Sequence, residues 1–358
     1  MVDWLAGKRI KGTSTERTTT AGIGTGVGGW VELGRTTLGA AAASITVSSL
    51  ADKRYYMILF DKLPSGNFSS FLRLGNGSVD SGSNYAFRTS QNGGADGTTT
   101  STSSITNSTA TSDADKTFSV MYVANYSSKE KLLINNTVSQ ETAGAGTSPD
   151  RAQTVGKWTN TSNVINLINS FDNGAGGNLN TGSEVVVLGW DPADTHSTNF
   201  WTELASVTLG ADGDTLSSGT ITAKKYLWGQ AFIRTKTGTT TTDIRFNGDT
   251  GSNYSKRKSF AGGAEELSNS ENRINVGGID SDNPSFINFF IINNSANEKL
   301  VMFHSVFSTP TGAGTAPYRI EGVGKWANTS NQITEINFVN TGAGDYELGS
   351  KLIIWGSN

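Results

Sequence analysis

Residues able to carry out catalysis are scarce in this sequence of 358 residues. The only histidines, His196 and His304, lie in stretches without the pattern of a Ser-His-Asp triad or a metal site. Neither a G-x-S-x-G nucleophile motif nor a phosphate-binding glycine loop occurs. Cysteine is absent, which excludes disulfides and thiolate chemistry. We therefore expect a protein that is not an enzyme and that has no catalytic, metal-binding or cofactor-binding residues.

Acidic residues offer one remaining route to chemistry, because a glycoside hydrolase needs two carboxylates on opposite sides of a cleft. Four candidates lie in one segment that carries no recognisable motif: Glu265, Glu266, Asp280 and Asp282. We interpret them as loop residues that favour solubility. The oxygen-rich stretches DGDT, NGDTGSN and DSDN lack the full spacing of a calcium loop. Turn formation explains these stretches more simply than calcium binding does.

The strongest pattern in the sequence is an internal repeat. The octapeptide GKWTNTSN at residues 156–163 returns as GKWANTSN at residues 324–331, a step of 324 − 156 = 168. The short sequences GAGT, EKL and GSNY return at nearly the same step, and GGWVELGRTTLGA resembles NFWTELASVTLGA. A period of this length matches a whole domain and is far longer than a solenoid unit. The sequence therefore predicts a tandem duplication.

The repeat defines the domain boundaries. We expect repeat 1 at residues 29–190, a polar linker at 191–199 and repeat 2 at 200–358, preceded by an arm at residues 1–28 that has no counterpart. Within each repeat the apolar runs are short, β-branched and aromatic, and clusters of Gly, Asn, Asp and Ser separate them. Such runs are typical of strands, and no stretch has the 3.6-residue periodicity of a long amphipathic helix.

The predicted fold is all-β, with two tandem, homologous antiparallel β-sandwich domains of jelly-roll type. Eight or nine strands are expected in each repeat. Hairpin turns are expected around residues 126–129 and 294–297. Two apolar runs, residues 185–188 and 352–355, are continuous rather than alternating. A strand buried on both faces has this pattern, either inside a sandwich or between subunits.

Two tryptophans of repeat 1 recur at equivalent positions of repeat 2. All four are predicted to be structural core residues: Trp30 and its counterpart Trp201, and Trp158 and its counterpart Trp326. Trp158 and Trp326 belong to the repeated octapeptide, where the preceding glycine permits close backbone approach and the ring can seal a core. A second interpretation makes these two rings a stacking platform for a sugar or a base. The structural interpretation is favoured because both repeats keep the tryptophan. Each of two cores would need one, whereas a ligand site would need it only in the repeat that binds the ligand.

The arm at residues 1–28 has two interpretations of equal weight. Its composition fits a disordered tail. It also fits an anchoring arm that docks on a partner, with the Gly/Thr-rich stretch as a flexible tether. The residues that suggest docking are one aromatic, one aliphatic and three basic side chains: Trp4, Leu5, Lys8, Arg9 and Lys11.

Charge and hydropathy limit the partners. Basic and acidic residues nearly balance, 28 against 31, and the pI of about 5.5 argues against binding to nucleic acid or to an anionic membrane. No stretch approaches the ~18 apolar residues that span a bilayer. The sequence also lacks the long apolar run of a signal peptide, so we expect that, if the protein works outside a cell, something other than a standard signal places it there.

The two repeats differ most in residues 88–116 and 257–284, which have similar lengths but unrelated sequences. We expect a difference in function between the repeats to lie in these segments. Exposed strands and loops of this kind are typical recognition surfaces. Aromatic residues for stacking on sugars are not expected there, so recognition would use hydrogen bonds.

The sequence RFNGDTGSNYS after a W-x-E-L strand, in a domain ending in G-S-x-(apolar)4-G, resembles β-sandwich domains found in virion proteins of tailed phages and related microbial viruses. The resemblance covers both repeats. It implies a structural protein similar to head decorations, head fibres or tail fibres, which often form trimers. The motifs are turn and core residues, so the resemblance implies no site residue.

Three functions follow as expectations. The first is a non-enzymatic virion protein on the capsid or tail surface, anchored through its arm to other virion proteins, homo-oligomeric, and in contact with host glycans. The second is a tandem jelly-roll protein that builds the capsid shell. The third is a secreted protein that binds or degrades carbohydrate.

Overall fold

The computed structural model describes residues 3–5, 9–11, 29–107, 115–192, 199–234, 238–280, 284–308 and 312–358. All regular structure in these residues is β, as expected from the short β-branched and aromatic runs. In the arm, strands β1 (Asp3–Leu5) and β2 (Arg9–Lys11) pair antiparallel. The side chains of the arm, including those of Trp4, Leu5, Arg9 and Lys11, and the whole of Lys8 lie outside the described residues, so both interpretations of the arm remain predictions.

Repeat 1 forms two antiparallel sheets. The larger sheet contains eight strands, in spatial order β3 (Val31–Thr37), β15 (Glu184–Trp190), β5 (Tyr55–Lys62), β11 (Thr117–Ala124), β12 (Lys131–Ser139), β13 (Asp150–Trp158), β8 (Tyr85–Gln91) and β9 (Gly97–Thr102). The smaller sheet contains β10 (Ile105–Thr106), β6 (Ser70–Asn76), β14 (Leu167–Asp172) and β4 (Ser44–Val47), with β7 (Ser78–Val79) paired to β6.

Repeat 2 reproduces this order. Its larger sheet contains β16 (Thr202–Thr208), β27 (Lys351–Ser357), β18 (Tyr226–Ile233), β23 (Ser285–Ile292), β24 (Lys299–Phe307), β25 (Tyr318–Trp326), β20 (Tyr254–Phe260) and β21 (Glu265–Glu271). Its smaller sheet contains β17 (Thr215–Ser217), β26 (Ile336–Val339), β19 (Thr240–Phe246) and β22 (Ile274–Asp280). Each of these strands has a counterpart in repeat 1, and β7 alone has none.

The predicted fold class, two tandem antiparallel β-sandwiches, is confirmed. In both repeats the chain passes repeatedly between the larger and the smaller sheet, as in jelly-roll folds. The predicted strand number is wrong, because the described residues contain thirteen strands in repeat 1 and twelve in repeat 2. The missed strands include polar ones such as β9, whose sequence GTTTST lacks an apolar run. Both hairpin turns occur where they were expected, between β11 and β12 and between β23 and β24.

Each sandwich has its own hydrophobic core. In repeat 1, residues of the larger sheet such as Ile58 and Val187 pack against Leu72 and Ile168 of the smaller sheet. In repeat 2, the corresponding core includes Ile354 and Phe338. Burial of these apolar side chains is the main stabilising contribution to each sandwich.

A third core joins the repeats, because the outer faces of the two larger sheets pack against each other. Strand β15 shows how one strand serves two cores. Val185 and Val187 face the core of repeat 1, whereas Val186 and Leu188 face the third core. This explains the continuous apolar run at residues 185–188. The sequence indicated burial on both faces, and the structure identifies the second partner as the other repeat. We call this third core the inter-repeat interface.

Candidate functional site

The repeated octapeptide has the same structural role in both repeats. Trp158 and Trp326 are each 1% exposed, in the cores of their sandwiches. The indole Nε1–H of Trp158 donates to Asp80 Oδ2 at 2.7 Å, and that of Trp326 donates to Asp249 Oδ2 at 2.7 Å. Rings so fully buried offer no surface to a sugar or a base, so the structure places these tryptophans in the core rather than in a stacking platform.

The aspartates that accept these bonds begin the repeated DxGSNY turns. Asp80 also accepts bonds from Gly82 N and Asn84 Nδ2, at 2.9 Å each. Burial alone would raise the pKa of Asp80, but the bonds from Trp158 and Asn84 outweigh it and lower that pKa. The GSNY and GKW motifs therefore recur together because they contact each other.

The lysine of the repeated EKL sequence completes the arrangement. Lys131 Nζ donates to the carbonyl oxygens of Lys129 and Asn160, and it lies 5.8 Å from the centre of the Trp158 ring. Lys299 makes the equivalent bonds in repeat 2, 5.9 Å from Trp326. A lysine ammonium above an indole face adds a cation–π attraction to these hydrogen bonds. The repeated residues thus stabilise the sandwich.

The other two predicted core tryptophans lie at the inter-repeat interface. Trp201 is buried there, and its ring packs on Trp228 at 5.8 Å. Trp30 is half-buried against the same interface and accepts a bond from Phe200 N at 2.8 Å through its carbonyl oxygen. These residues recur because both repeats use the same sheet face, and not because each sandwich core requires them.

Several of the residues considered for catalysis lie outside the described part of the chain. His196 and Asp282 lie outside the described residues, as does the side chain of Asp280. His304 lies in β24, where burial lowers its pKa and the charge of Glu321 opposes that shift. In the part of the chain that the structure describes, no cluster of three or more His, Asp or Glu side chains could hold a metal ion. Among the described residues, no helix is long and apolar enough to cross a bilayer.

The interpretation of Glu265, Glu266 and Asp280 as loop residues is wrong, because the first two lie in β21 and Asp280 ends β22. Glu265 begins strand β21 and accepts a bond from Arg151 Nε at 2.9 Å, which links repeat 2 to repeat 1. Both side chains of this ion pair are mostly buried. The short EE sequence gave no indication of this pairing, since the partner is 114 residues away.

The best candidate for a ligand site is a polar cleft of about 470 Å³ in repeat 2. It lies between β20 and β21 of the larger sheet and β19 and β22 of the smaller sheet, and most of its lining residues belong to the segment predicted to diverge. The charged residues that line the cleft are three basic and three acidic: Lys256, Lys258, Arg273, Asp243, Glu266 and Glu271. Because these charges balance, the cleft offers both hydrogen-bond donors and acceptors without a net formal charge.

Several of these side chains are held in place by one another. Arg273 Nε donates to Asp243 Oδ2 at 3.0 Å, and Asn275 Nδ2 donates to Asp243 Oδ1 at 2.6 Å. Lys258 Nζ donates to Asn275 Oδ1 at 2.6 Å and lies 3.4 Å from Glu266 Oε2. A network of this kind fixes the positions of polar groups before a ligand arrives, which reduces the entropic cost of binding.

Lys256 differs from its neighbours. Its side chain lines the cleft and is only 8% exposed, yet it makes no hydrogen bond to any side chain or backbone group among the described residues. Burial lowers the pKa of Lys256 and the nearby charge of Lys258 lowers it further, whereas the carboxylates of Glu266, Glu271 and Asp243 oppose the shift. The Lys256 ammonium therefore lies near carboxylate charges of the cleft but donates to no acceptor among the described residues, which leaves it open to solvent or to a ligand. A ligand oxygen in the cleft would be such an acceptor.

The two lysines of the cleft have no counterparts of their own type at the equivalent positions of repeat 1. Phe87 and Thr89 pair with Gly156 and Thr154, just as Lys256 and Lys258 pair with Gly324 and Gly322. The two lysines of the cleft therefore replace a phenylalanine and a threonine.

Sequence reasoning missed Lys256, Lys258, Asp243, Glu271 and Arg273 as candidates. The available signal was the change from AFRT to SKRK after the repeated tyrosine, because it places two lysines on one strand face. The expectation that the divergent segment lacks aromatic residues for stacking is also wrong, since Phe260 borders the cleft.

Comparisons with known proteins give little further information. No protein-family model matches the sequence, and no curated protein is similar to it. The chain has 9% identity and a TM-score of 0.20 to the LG1–3 region of the laminin α2 chain, over 88% of this chain and 64% of that one. It therefore spans less than two thirds of that laminin region. Domains LG4–5 of the mouse laminin α1 chain have 10% identity and a TM-score of 0.18, over 93% and 90%. TM-scores this low carry no argument about function.

Proposed function

We propose that this chain is a non-enzymatic binding protein displayed on a virion surface, and that the cleft of repeat 2 binds a neutral glycan. The observation that carries the binding role is the Lys256 side chain, which lines the cleft, is 8% exposed and makes no side-chain hydrogen bond to a described residue. The cleft volume lies within the ~300–1,000 Å³ of typical small-molecule sites.

The class of ligand follows from the charges of the cleft. Three basic and three acidic side chains would repel neither sign of charge strongly and would favour neither. Hydroxyl groups act as both donors and acceptors, so a sugar can use the carboxylates and the ammonium groups together. Phe260, at the border of the cleft, provides an apolar ring against which a sugar ring can pack.

A glycan-degrading enzyme is the second candidate, favoured by the carboxylates of Glu266 and Glu271 in the same cleft. Glu266 lies 3.4 Å from the ammonium of Lys258. This contact holds the Glu266 side chain in an ion pair, whereas a hydrolase needs both carboxylates directed at the scissile bond. For this reason we favour binding without hydrolysis.

The virion setting is supported by the sequence resemblance. In this proposal the arm at residues 1–28 attaches the chain to other virion proteins. The test of this setting is whether the genes beside this one encode portal, terminase or tail proteins.

The experiment for the binding role is a glycan array, with release of reducing sugar measured on the same glycans. We expect the intact chain to bind at least one neutral glycan without releasing reducing ends. Lys256→Met is expected to bind at least ~10-fold more weakly, because hydrogen bonds to charged groups contribute ~1.5–3 kcal/mol. Lys129→Met, which changes an exposed lysine in a turn of repeat 1, is the matched control and should bind normally.

Two results would contradict the proposal. Equal binding by Lys256→Met and the intact chain, or no binding by either, would exclude the cleft as a glycan site. Release of reducing sugar that is lost in Glu266→Gln or Glu271→Gln would show that the chain is a glycoside hydrolase.

A further inference from the structure

The outer face of the larger sheet in repeat 1 carries three exposed apolar side chains. Leu132, Ile134 and Val155 are 58%, 56% and 49% exposed, and they line a groove of about 500 Å³ on β12 and β13. Ile134 and Val155 are direct cross-strand partners, so the exposed surface is continuous. We call these three residues the open face. Apolar patches of this kind on a soluble protein usually mark an interaction site.

The counterpart of the open face in repeat 2 shows what such a surface binds. Leu300, Met302 and Val323 lie at the same positions, 168 residues later, and are only 2%, 4% and 3% exposed. They are buried in the inter-repeat interface, in one cluster with Phe118 and Val138 of repeat 1. The same face is thus covered in one repeat and open in the other.

The buried face of repeat 2, with Leu300, Met302 and Val323, is surrounded by polar contacts. These contacts join repeat 2 to a loop of repeat 1, residues 140–149. Lys325 Nζ donates to Gln140 O at 2.9 Å, and Gly144 N donates to Glu298 Oε1. Arg257 Nε donates to Pro149 O at 2.9 Å. Three charged groups of repeat 2 therefore hold the loop, and most of their partners are backbone atoms.

All three charged groups recur beside the open face of repeat 1, as Lys157, Glu130 and Arg88. Lys157 Nζ lies 3.0 Å from Glu130 Oε2 in an exposed ion pair. Arg88 forms another exposed pair, 3.2 Å from Asp96. Exposed pairs of this kind contribute little to stability, so these groups can exchange partners at small cost.

The covering surface recurs as well, at the outer face of repeat 2. Phe286 and Val306 are the counterparts of Phe118 and Val138, and they are direct cross-strand partners as Phe118 and Val138 are. Their exposed fractions are 42% and 40%. The GAGT sequence of the covering loop recurs at residues 312–315, which are exposed. Repeat 2 therefore exposes the counterpart of the repeat 1 surface that packs against Leu300, Met302 and Val323.

We propose that chains associate head to tail through a second copy of the inter-repeat interface. Phe286, Val306 and residues 312–315 of one chain dock on Leu132, Ile134 and Val155 of the next. Because the two surfaces differ, the contact is heterologous, and repetition gives a closed ring or an open filament. This inference rests on the duplication and the exposed surfaces, and it is independent of glycan binding.

The test uses the full chain and measures its mass by sedimentation between about 1 and 100 μM, a range that detects moderate affinities. The intact chain, of 37.8 kDa, is expected to form species larger than a monomer. Ile134→Asp removes one surface and Val306→Asp removes the other, so each variant alone should remain monomeric. Leu348→Asp is the matched control, since Leu348 is equally exposed but lies on neither surface.

Mixing the two variants distinguishes a head-to-tail contact from a symmetric one. Ile134→Asp retains the Phe286 surface, and Val306→Asp retains the open face, so an equal mixture should form a dimer of one chain of each variant and nothing larger. Lys157→Glu serves as a second variant of the open face if Ile134→Asp melts abnormally. A monomeric intact chain at 100 μM, or variants that assemble like the intact chain, would overturn the proposal, as would a mixture that stays monomeric.

Discussion

Replacing Lys62 with isoleucine should make repeat 1 more stable at low pH and remove a part of its pH dependence. Lys62 is 2% exposed, and its ammonium donates a 2.8 Å bond to Asn107 O. Burial lowers the pKa of Lys62 to about 7. The counterpart in repeat 2 is Ile233, a fully buried residue of that sandwich core, so the fold already accepts isoleucine at this position.

The magnitude follows from the difference in pKa between the two states. An unfolded lysine has a pKa of about 10.4, so between pH 7 and 10.4 the unfolded chain binds a proton that the folded chain lacks. The stability of the wild type therefore rises with pH across this window, by about 1.4 kcal/mol per pH unit. Below pH 7 both states are protonated and the full penalty, on the order of 5 kcal/mol, opposes folding.

The substitution also removes a hydrogen bond. Leaving the carbonyl oxygen of Asn107 without its donor costs about 1–3 kcal/mol at every pH. The expected net gain of Lys62→Ile is thus about 2–4 kcal/mol at pH 6. It should fall as the pH rises and approach zero near pH 9, because the wild type loses its buried proton there.

The assay is urea unfolding followed by circular dichroism at pH 6, 7.5 and 9, for the wild type, Lys62→Ile and the control Lys129→Ile at an exposed turn. The difference between the wild type and each variant cancels the titration of all other groups. A gain that does not change with pH, or a variant that is less stable at pH 6, would refute the reasoning.

Three further predictions concern the core, the interface and the arm. Trp158→Ala and Trp326→Ala should each destabilise the protein by about 3–5 kcal/mol in urea unfolding, and wild-type stability in either variant would contradict the core assignment. Residues 29–190 and 200–358, expressed separately, should each melt cooperatively. They should melt at a lower temperature than the full chain and self-associate, because the inter-repeat interface becomes exposed. Melting at the temperature of the full chain would show that the interface adds no stability. Deleting residues 1–28 should leave the melting temperature unchanged and abolish incorporation into virions in a co-assembly assay, and normal incorporation would place attachment on the sandwiches.

The duplication made much of the fold predictable from one sequence. Residues that recur in both repeats, such as Trp158 and Trp326, marked the core and its turns, and the apolar runs marked the central strands. Strand β9 was missed because GTTTST has no apolar face. The run at residues 185–188 showed burial on two faces, but a local pattern does not identify a partner that is distant in sequence.

The cleft of repeat 2 was only partly predictable. The divergent segment was expected to hold the recognition surface, and β21 and β22 of that segment do line the cleft. Asp243 and Arg273, however, are 30 residues apart and meet only through the pairing of β19 with β22. Lys256 lies just outside the segment that was singled out. Charged residues on three strands and just before the start of a fourth have no common spacing in the sequence, so only the fold brings them together.

The central claim is that the cleft of repeat 2 binds a glycan, and a crystal structure of the chain soaked with the best glycan from the array tests it most directly. We predict a sugar between β20 and β22, with a hydroxyl or ring oxygen within hydrogen-bond distance of Lys256 Nζ. The sugar ring should pack beside Phe260. A glycan bound elsewhere on the chain, with the cleft empty, would contradict the account.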